Sequence, residues 1–289
     1  MQKGEVALGK AVLLGILSLA FAQDKPAYVL YSGQGKRISY KKAIGLLAQA
    51  DVILFGELHD DPIAHWLAYE LVKDLQAKRP LALGMEMFET DQQEALNRYL
   101  RREITLDRLG EEVRLWPNFS TDYAPLVELA QEKGMAIYAT NTPRMLAREV
   151  ARRGIADIES WDESKRRLIA PWPFPRLDSL PSYQKMTEMA EGHGMNPENF
   201  RLAQMLKDAT MAYRIQQAWR PGQLLFHLNG SYHSDYKEGI AAYLRLYAPH
   251  LRVVNVSTQR APLPQQYKPP REGLADVILV VPETMTRTH

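Results

Sequence analysis

The chain has 289 residues, with 36 Lys and Arg against 34 Asp and Glu and a formal net charge of +2. That balance gives no electrostatic ground for holding a nucleic-acid backbone, and nucleic acid is excluded as a partner on it. The sequence contains no cysteine, which removes disulfides, thiolate metal sites, cysteine nucleophiles and the acylated cysteine of a bacterial lipoprotein; chemistry is left to His, carboxylate, Tyr and Met.

In chain order, Lys3 and Lys10 flank and precede an apolar stretch, Ala11 to Phe21, and Ala20-Phe21-Ala22 offers small residues at a signal peptidase's spacing. Residues 1–22 therefore read as a secretory signal cleaved near Ala22, since the stretch falls short of the ~20 residues of a spanning helix. The expected mature protein is exported, periplasmic or secreted, and residues 23–289 are expected to form a single α/β domain.

Val29 to Ser32 and Arg37 to Tyr40 flank Gly33-Gln34-Gly35, which predicts a hairpin, and a short helix is expected from Lys41 to Gln49. Apolar runs suited to buried strands follow at Val52–Phe55, Leu81–Met85, Met135–Ala139, Leu224–Leu228, Leu251–Val256 and Val277–Val281. Helical patterns separate most of them, so the fold class is α/β, with a mainly parallel sheet covered by helices. Asp60 or Asp61 can cap a helix that has Pro62 in its first turn and Ile63, Leu67, Leu71 and Leu75 at every fourth position. No strand pattern occurs from about 144 to 217, which reads as a helical insertion. The proline-rich stretch Gln259 to Gly273 is expected to wrap the surface.

Two turns carry the candidate chemistry. Gly56-Glu57-Leu58-His59 ends the first of the buried runs, and Gly230-Ser231-Tyr232-His233 ends the one at Leu224–Leu228. In open parallel sheets ligands gather beyond the carboxyl ends of the strands. Applied run by run, that rule brings together Glu57 and His59, Glu86 and Glu89, Asn141 and Arg144, and Asn229 and His233. Each has a purely structural alternative: Glu57 as a cap, Glu86 paired with Arg144, Asn141 as a cap, His233 as a satisfied loop histidine. Taken jointly, Glu57, His59, Glu86 and His233 can act as acids and bases or as nitrogen and oxygen ligands to a divalent metal, with Asn141, Arg144 and Asn229 as supporting polar groups. His65 is expected on a half-exposed helix face beside Tyr69, and His227 in the core. Within the insertion, Tyr183, Met186, Met189 and His193 are residue types that ligate haem iron, although the two methionines at helical spacing equally suit a core. The run Arg144, Arg148, Arg152, Arg153, Lys165, Arg166 and Arg167, interrupted by acids, reads mostly as a solvated helix face, one or two of whose arginines can bind carboxylates.

The ordered set Phe55-Gly56-Glu57-Leu58-His59-Asp60, His65-Trp66, Gly84-Met85-Glu86-Met87-Phe88, Asn141-Thr142-Pro143-Arg144, Asp208-Ala209-Thr210-Met211-Ala212 and Leu228-Asn229-Gly230-Ser231-Tyr232-His233 resembles the ChaN-like haem-binding proteins. These belong to a superfamily that includes the Tiki metalloproteases and the erythromycin esterases. The resemblance runs from about residue 38 to 260 and implies haem as ligand, a homodimer with haem at its interface, bacterial iron acquisition, and an outer-membrane haem receptor as partner. It also implies that Glu57, His59, Glu86 and His233 correspond to the catalytic or metal-binding centre of the superfamily's enzymes. Tyr183 and His193 are named as haem-binding candidates by side-chain type alone. The sequence thus supports two readings: an exported haem-binding protein of haem or iron uptake, and a metal-assisted or His/Glu-dependent hydrolase that uses the same strand ends.

Overall fold

The computed structural model describes residues 24–191, 196–270 and 272–288, so the expected signal segment and His193 lie outside the described residues. Eight strands, β1 (Val29–Ser32), β2 (Arg37–Ile38), β3 (Val52–Glu57), β4 (Leu81–Glu89), β5 (Ile137–Asn141), β6 (Leu224–Gly230), β7 (Val253–Ala261) and β8 (Val277–Pro282), form one sheet. Its order is β2-β1-β8-β7-β3-β6-β4-β5. From β8 to β5 all neighbours are parallel, and β1 pairs antiparallel with both β2 and β8. The predicted α/β class with its mainly parallel sheet is the observed one.

Successive residues of a strand point to opposite faces, and the buried strands use both. Ile53 and Phe55 share a core with Phe226 and Leu228 under the helices Tyr40–Leu47, Pro62–Gln76 and Ala124–Lys133. Val52, Leu54 and Leu225 instead join a second core with Leu206, Ala209 and Ile215 of the helix Pro197–Ala218. The helix-rich segment expected as an insertion therefore forms the cover of one sheet face. Among its described residues it contains the helices Arg144–Arg153, Ile155–Ser160, Glu163–Arg166, Pro181–Glu191 and Pro197–Ala218. No helix among the described residues is long and apolar enough to cross a membrane.

The structure departs from the sequence reading at several points, as where β4 runs on past Met85 to Glu89. Strand β7 continues to Ala261, because Val256 to Ala261 pair with Val277 to Pro282 before the prolines begin. His65 is buried, where a half-exposed position was expected. It stands three residues before Ala68 and seven before Val72, both buried, so the inward face of Pro62–Gln76 is wider than the Leu67-Leu71-Leu75 row suggests. That helix starts where expected: the Asp61 carboxylate accepts from the backbone N–H groups of Ile63 and Ala64 at 3.1 and 3.0 Å, and Pro62 supplies a first-turn residue with no N–H to satisfy.

Gly56 matters through close approach. A Cβ at that position would lie 2.8 Å from Ser231 Cα and 2.9 Å from the Val256 carbonyl oxygen, both backbone atoms that cannot swing aside. We predict that Gly56→Ala lowers unfolding stability by about 1–3 kcal/mol. Urea denaturation measures this, and an unchanged midpoint would show that the turn after β6 can give way.

Candidate functional site

Strands β3 and β6 lie side by side with Gly56 opposite Asn229 and Glu57 opposite Gly230, so the two glycine-histidine turns leave the sheet at the same level. Strand β4 flanks β6 and contributes Glu86, whose Oε2 accepts the Gly230 N–H at 2.8 Å. Three strand ends thus converge, and Glu57, Glu86 and His233 are buried there while His59 keeps 37% of its side chain exposed.

Around Glu57 a first network forms. Its Oε1 accepts from Tyr123 Oη at 2.7 Å and lies 2.8 Å from His59 Nδ1, and its Oε2 lies 2.8 Å from His65 Nε2. His65 Nδ1 lies 3.0 Å from Asp122, so this buried imidazole sits between two carboxylates in close ionic contact. Asn118 ties the network back to the turn by donating to both the His59 carbonyl, at 2.7 Å, and Asp122. Burial alone would raise the Glu57 pKa, but the imidazoles of His65 and His59 outweigh it and hold the carboxyl below its ordinary range. For His59 burial works downward, and the neighbouring Glu57 and Glu86 carboxylates lift its pKa above the ordinary value. His65 is raised likewise, against burial, by Glu57 and Asp122.

The second network centres on His233. Its Nδ1 makes a short contact with Asp208, its Nε2 lies 3.2 Å from Glu86, and Gln204 approaches Nδ1 at 3.0 Å. Burial is opposed by Glu86 and Asp208, which carry the His233 pKa up to about 10; the same pairing keeps Glu86 well below the carboxylate range despite its burial. Asp208 also accepts from Tyr183 Oη at 2.7 Å.

A cleft of about 560 Å³ opens beside these networks, within the range of small-molecule sites. Glu86 and Gln204 form its inner end. Trp116, on whose ring the His59 imidazole rests edge-on at 4.7 Å between centroids, forms part of an apolar wall with Leu115 and Phe200. Arg114, Arg144, Arg148 and Lys207 line the same cleft.

The structure therefore brings Glu57, His59, Glu86 and His233 to one sheet edge. Asn141 lies beside them, its amide donating to the Glu86 carbonyl at 3.1 Å, and Arg144 lines the cleft. Asn229 is buried: its amide donates to Ser234 Oγ at 3.0 Å and to the Gly230 carbonyl, fixing the turn that carries His233. In place of the alternative pairing of Glu86 with Arg144, Glu86 contacts His233, and the Arg144 backbone N–H donates to Glu89 at 2.9 Å. Tyr183 is sealed in the second core with its hydroxyl bound to Asp208, so it is not presented to a ligand in the cleft. As for a divalent cation, no group of three or more His, Asp or Glu side chains among the described residues is placed to hold a metal ion; the four residues are joined by imidazole–carboxylate contacts. Sequence reasoning missed Asn118, Asp122, Tyr123 and Gln204, and among the ordered motifs it named His65 and Asp208 without giving them these contacts. Asp208 had a signal, a carboxylate three residues from both Met205 and Met211 at helical spacing, and so did His65 in its helical spacing.

A doubly covered parallel sheet with a histidine–carboxylate site beyond its strand ends defines the class of protein. The chain belongs to the family of haem-binding uptake proteins, Tiki superfamily, ChaN, which matches residues 43–244. It is similar to the protein RETICULATA-RELATED 5, chloroplastic, of Arabidopsis thaliana, at 27% identity over 227 residues covering 71% of this chain. The chain spans only 29% of the length of that curated relative. Among solved structures it is similar to ChaN of Campylobacter jejuni, described for cofacial haem binding, with a TM-score of 0.68 and 18% identity over 88% of this chain and 96% of that one. A mutant erythromycin esterase in its open conformation has a TM-score of 0.44 and 11% identity, over 81% of this chain and 77% of that one. The family implies haem, and the cleft fits it in kind: an apolar, partly aromatic wall suits the macrocycle and the surrounding cations suit its acidic side chains.

Beneath the site, His227 is buried as expected. Asn229 spends its amide hydrogens on Gly230 and Ser234, so its Oδ1 accepts from His227 Nδ1 at 3.0 Å, and Nε2 then accepts from the Thr140 hydroxyl at 2.8 Å. The ring is neutral, and burial pushes its pKa down to about 4 from an ordinary 6.5. Above pH 6.5 this residue contributes nothing to the pH dependence of folding. Between 6.5 and about 4 the unfolded chain takes up a proton that the folded chain does not, so stability falls with falling pH and the loss levels off below about 4, on the order of 3 kcal/mol. We predict that His227→Gln flattens the fall in unfolding free energy between pH 7 and pH 4.5. Parallel slopes for parent and variant would refute the assignment.

Proposed function

We propose that this protein is an exported haem-binding protein that serves haem or iron uptake as a carrier or store. What supports the reading most is the meeting of two facts: membership of a haem-binding uptake family, and an apolar-walled, cation-lined cleft beside the strand-end histidines. Trp116, Leu115 and Phe200 would hold the macrocycle by burial of its apolar surface. His59 is the candidate iron ligand, because it is part-exposed and its Nδ1 is fixed by Glu57, the carboxylate–imidazole arrangement that orients metal-binding histidines. Bound haem supplies the redox and ligand chemistry of its iron. An outer-membrane receptor and a second copy of this chain are the partners we propose with this role. Haem titrated into the protein is expected to give a saturable Soret change near stoichiometric ratios, with weaker binding and an altered band in His59→Ala. A response that grows linearly without saturation would reject haem binding.

A second reading rests on a separate observation: His59 and His233 are each backed by a buried carboxylate, Glu57 and Asp208, and Glu86 touches His233 between the two networks. In a hydrolase, His59 oriented by Glu57 would take a proton from water attacking an ester carbonyl, and the positive charge of His233 would stabilise the oxyanion that forms. On this reading Glu57→Gln lowers ester turnover by roughly 10²–10⁴-fold with the fold unchanged. A screen of esters, amides and peptides in which any activity survives Glu57→Gln would remove the hydrolase from consideration.

A further inference from the structure

Beyond β8 the chain returns to the site. Strand β8 runs parallel to β7, and β7 to β3, so its carboxyl end opens on the same sheet edge as the histidine turns. There the Glu283 N–H donates to the Ala261 carbonyl at the end of β7, and the following residues reach the turn after β3. Arg287 Nη1 lies 3.5 Å from the Asp60 carboxylate, and the Thr288 N–H donates to the Asp60 carbonyl at 3.1 Å, one residue past His59. The Thr288 hydroxyl donates to Asp122 Oδ2 at 2.6 Å. Both residues lie outside the stretch matched to the family, 43–244.

Thr288 thereby closes a ring of contacts. His59 touches Glu57, Glu57 touches His65, His65 touches Asp122, and Thr288 leads from Asp122 back to Asp60, the neighbour of His59. Asn118 makes a second bridge, from Asp122 to the His59 carbonyl, but it and Thr121, a further donor to Asp122, belong to the same stretch of chain as Asp122. Thr288 comes from a separate element, so it fixes that stretch relative to the turn from outside. The two returning residues differ in weight. Arg287 is 59% exposed, and an ion pair so placed stabilises little. The Thr288 hydroxyl meets a buried carboxylate, where a charge-assisted hydrogen bond is short and strong.

We infer that Thr288 is a positioning residue for His59: through Asp122 and His65 it steadies the Glu57 carboxylate that orients the imidazole, and through Asp60 it steadies the turn that carries it. The inference rests on the reading of His59 as the group the site presents to its ligand, and adds what holds that group in place. Thr288→Val keeps the shape and removes the hydroxyl, whereas Thr288→Ser keeps the hydroxyl. In nitrogen-15 spectra of histidine-labelled protein, with the His59 ring signals identified by their loss in His59→Ala, Thr288→Val is expected to shift or broaden those signals and leave the His250 signals in place. Thr288→Ser is expected to restore the parent spectrum. Haem affinity is expected to fall at least about threefold in Thr288→Val, a part of the roughly tenfold scale of one hydrogen bond to a charged group, and to return in Thr288→Ser. Circular dichroism checks the fold, and Asp122→Asn, which weakens the same link from its other side, is the second variant if Thr288→Val misfolds. Unmoved His59 signals, an equal displacement in Thr288→Ser, or a haem affinity equal in parent and Thr288→Val overturns the assignment. Displaced His59 signals in a protein that gives no saturable Soret change uphold the role of Thr288 and reject the haem reading.

Discussion

The site depends on one contact: the parallel pairing of β3 with β6 in a register that sets Glu57 opposite Gly230. Both strands then end together, and two turns remote in sequence compete for the same space above the sheet. They fit because each contributes a glycine at the crowded point. A Cβ on Gly56 would strike Ser231, and one on Gly230 would lie 2.7 Å from His59 Nε2. Slipping the register by one residue would turn every side chain of β3 to the opposite face, exchanging Ile53 and Phe55 for Val52 and Leu54 between the two cores. The hydrophobic pattern that specifies the sheet thereby also specifies which histidines meet.

Given that juxtaposition, the surrounding polar groups follow from electrostatic necessity. Glu57, Glu86 and Asp208 are buried, and an unpaired buried carboxylate carries a large desolvation penalty. Each has an imidazole against it, and the hydroxyls of Tyr123 and Tyr183 occupy further lone pairs on Glu57 and Asp208. The His233 turn is braced from two strands as well, by Asn229 of β6 donating to Ser234 Oγ and Asn255 of β7 donating to the Ser234 carbonyl. A network this constrained fixes its side chains before any ligand arrives, which is what catalysis and ligand recognition both require.

How much of this was legible in the sequence depended on whether a residue's environment is local. The strands were, because Val52 to Phe55 is apolar throughout and Leu224 to Leu228 is apolar but for His227, and each run meets a glycine within two residues. So was the convergence of Glu57, His59, Glu86 and His233, since a parallel sheet delivers successive strand ends to one edge. Tyr183 was misjudged because chemical type says nothing about direction: the hydroxyl that suggests a haem ligand is used up by a carboxylate 25 residues away. Asn118, Asp122 and Tyr123 were invisible for another reason. They lie on the π-helical turn Phe119–Tyr123 and the residue before it, where no periodicity marks an inward face, and their partners are assembled only when that turn docks on the helix Pro62–Gln76.

A division of charge runs through the finished site. Inside, acids and imidazoles neutralise one another over short distances, so Glu57, Glu86 and Asp208 contribute little field beyond their own network. Outside, the arginines and lysine around the cleft keep theirs, although the chain as a whole is nearly balanced. A ligand entering the cleft would therefore meet these cations, the apolar wall of Leu115, Trp116 and Phe200, and two carboxylates, Glu86 and Glu89. That arrangement would favour acidic groups beside the cations and leave Glu86, already paired with His233, to a neutral part of the molecule. The same polarity would serve both proposed readings of the site, a porphyrin with its acids beside the cations or a hydrolysable substrate with its neutral, reactive end toward the histidines.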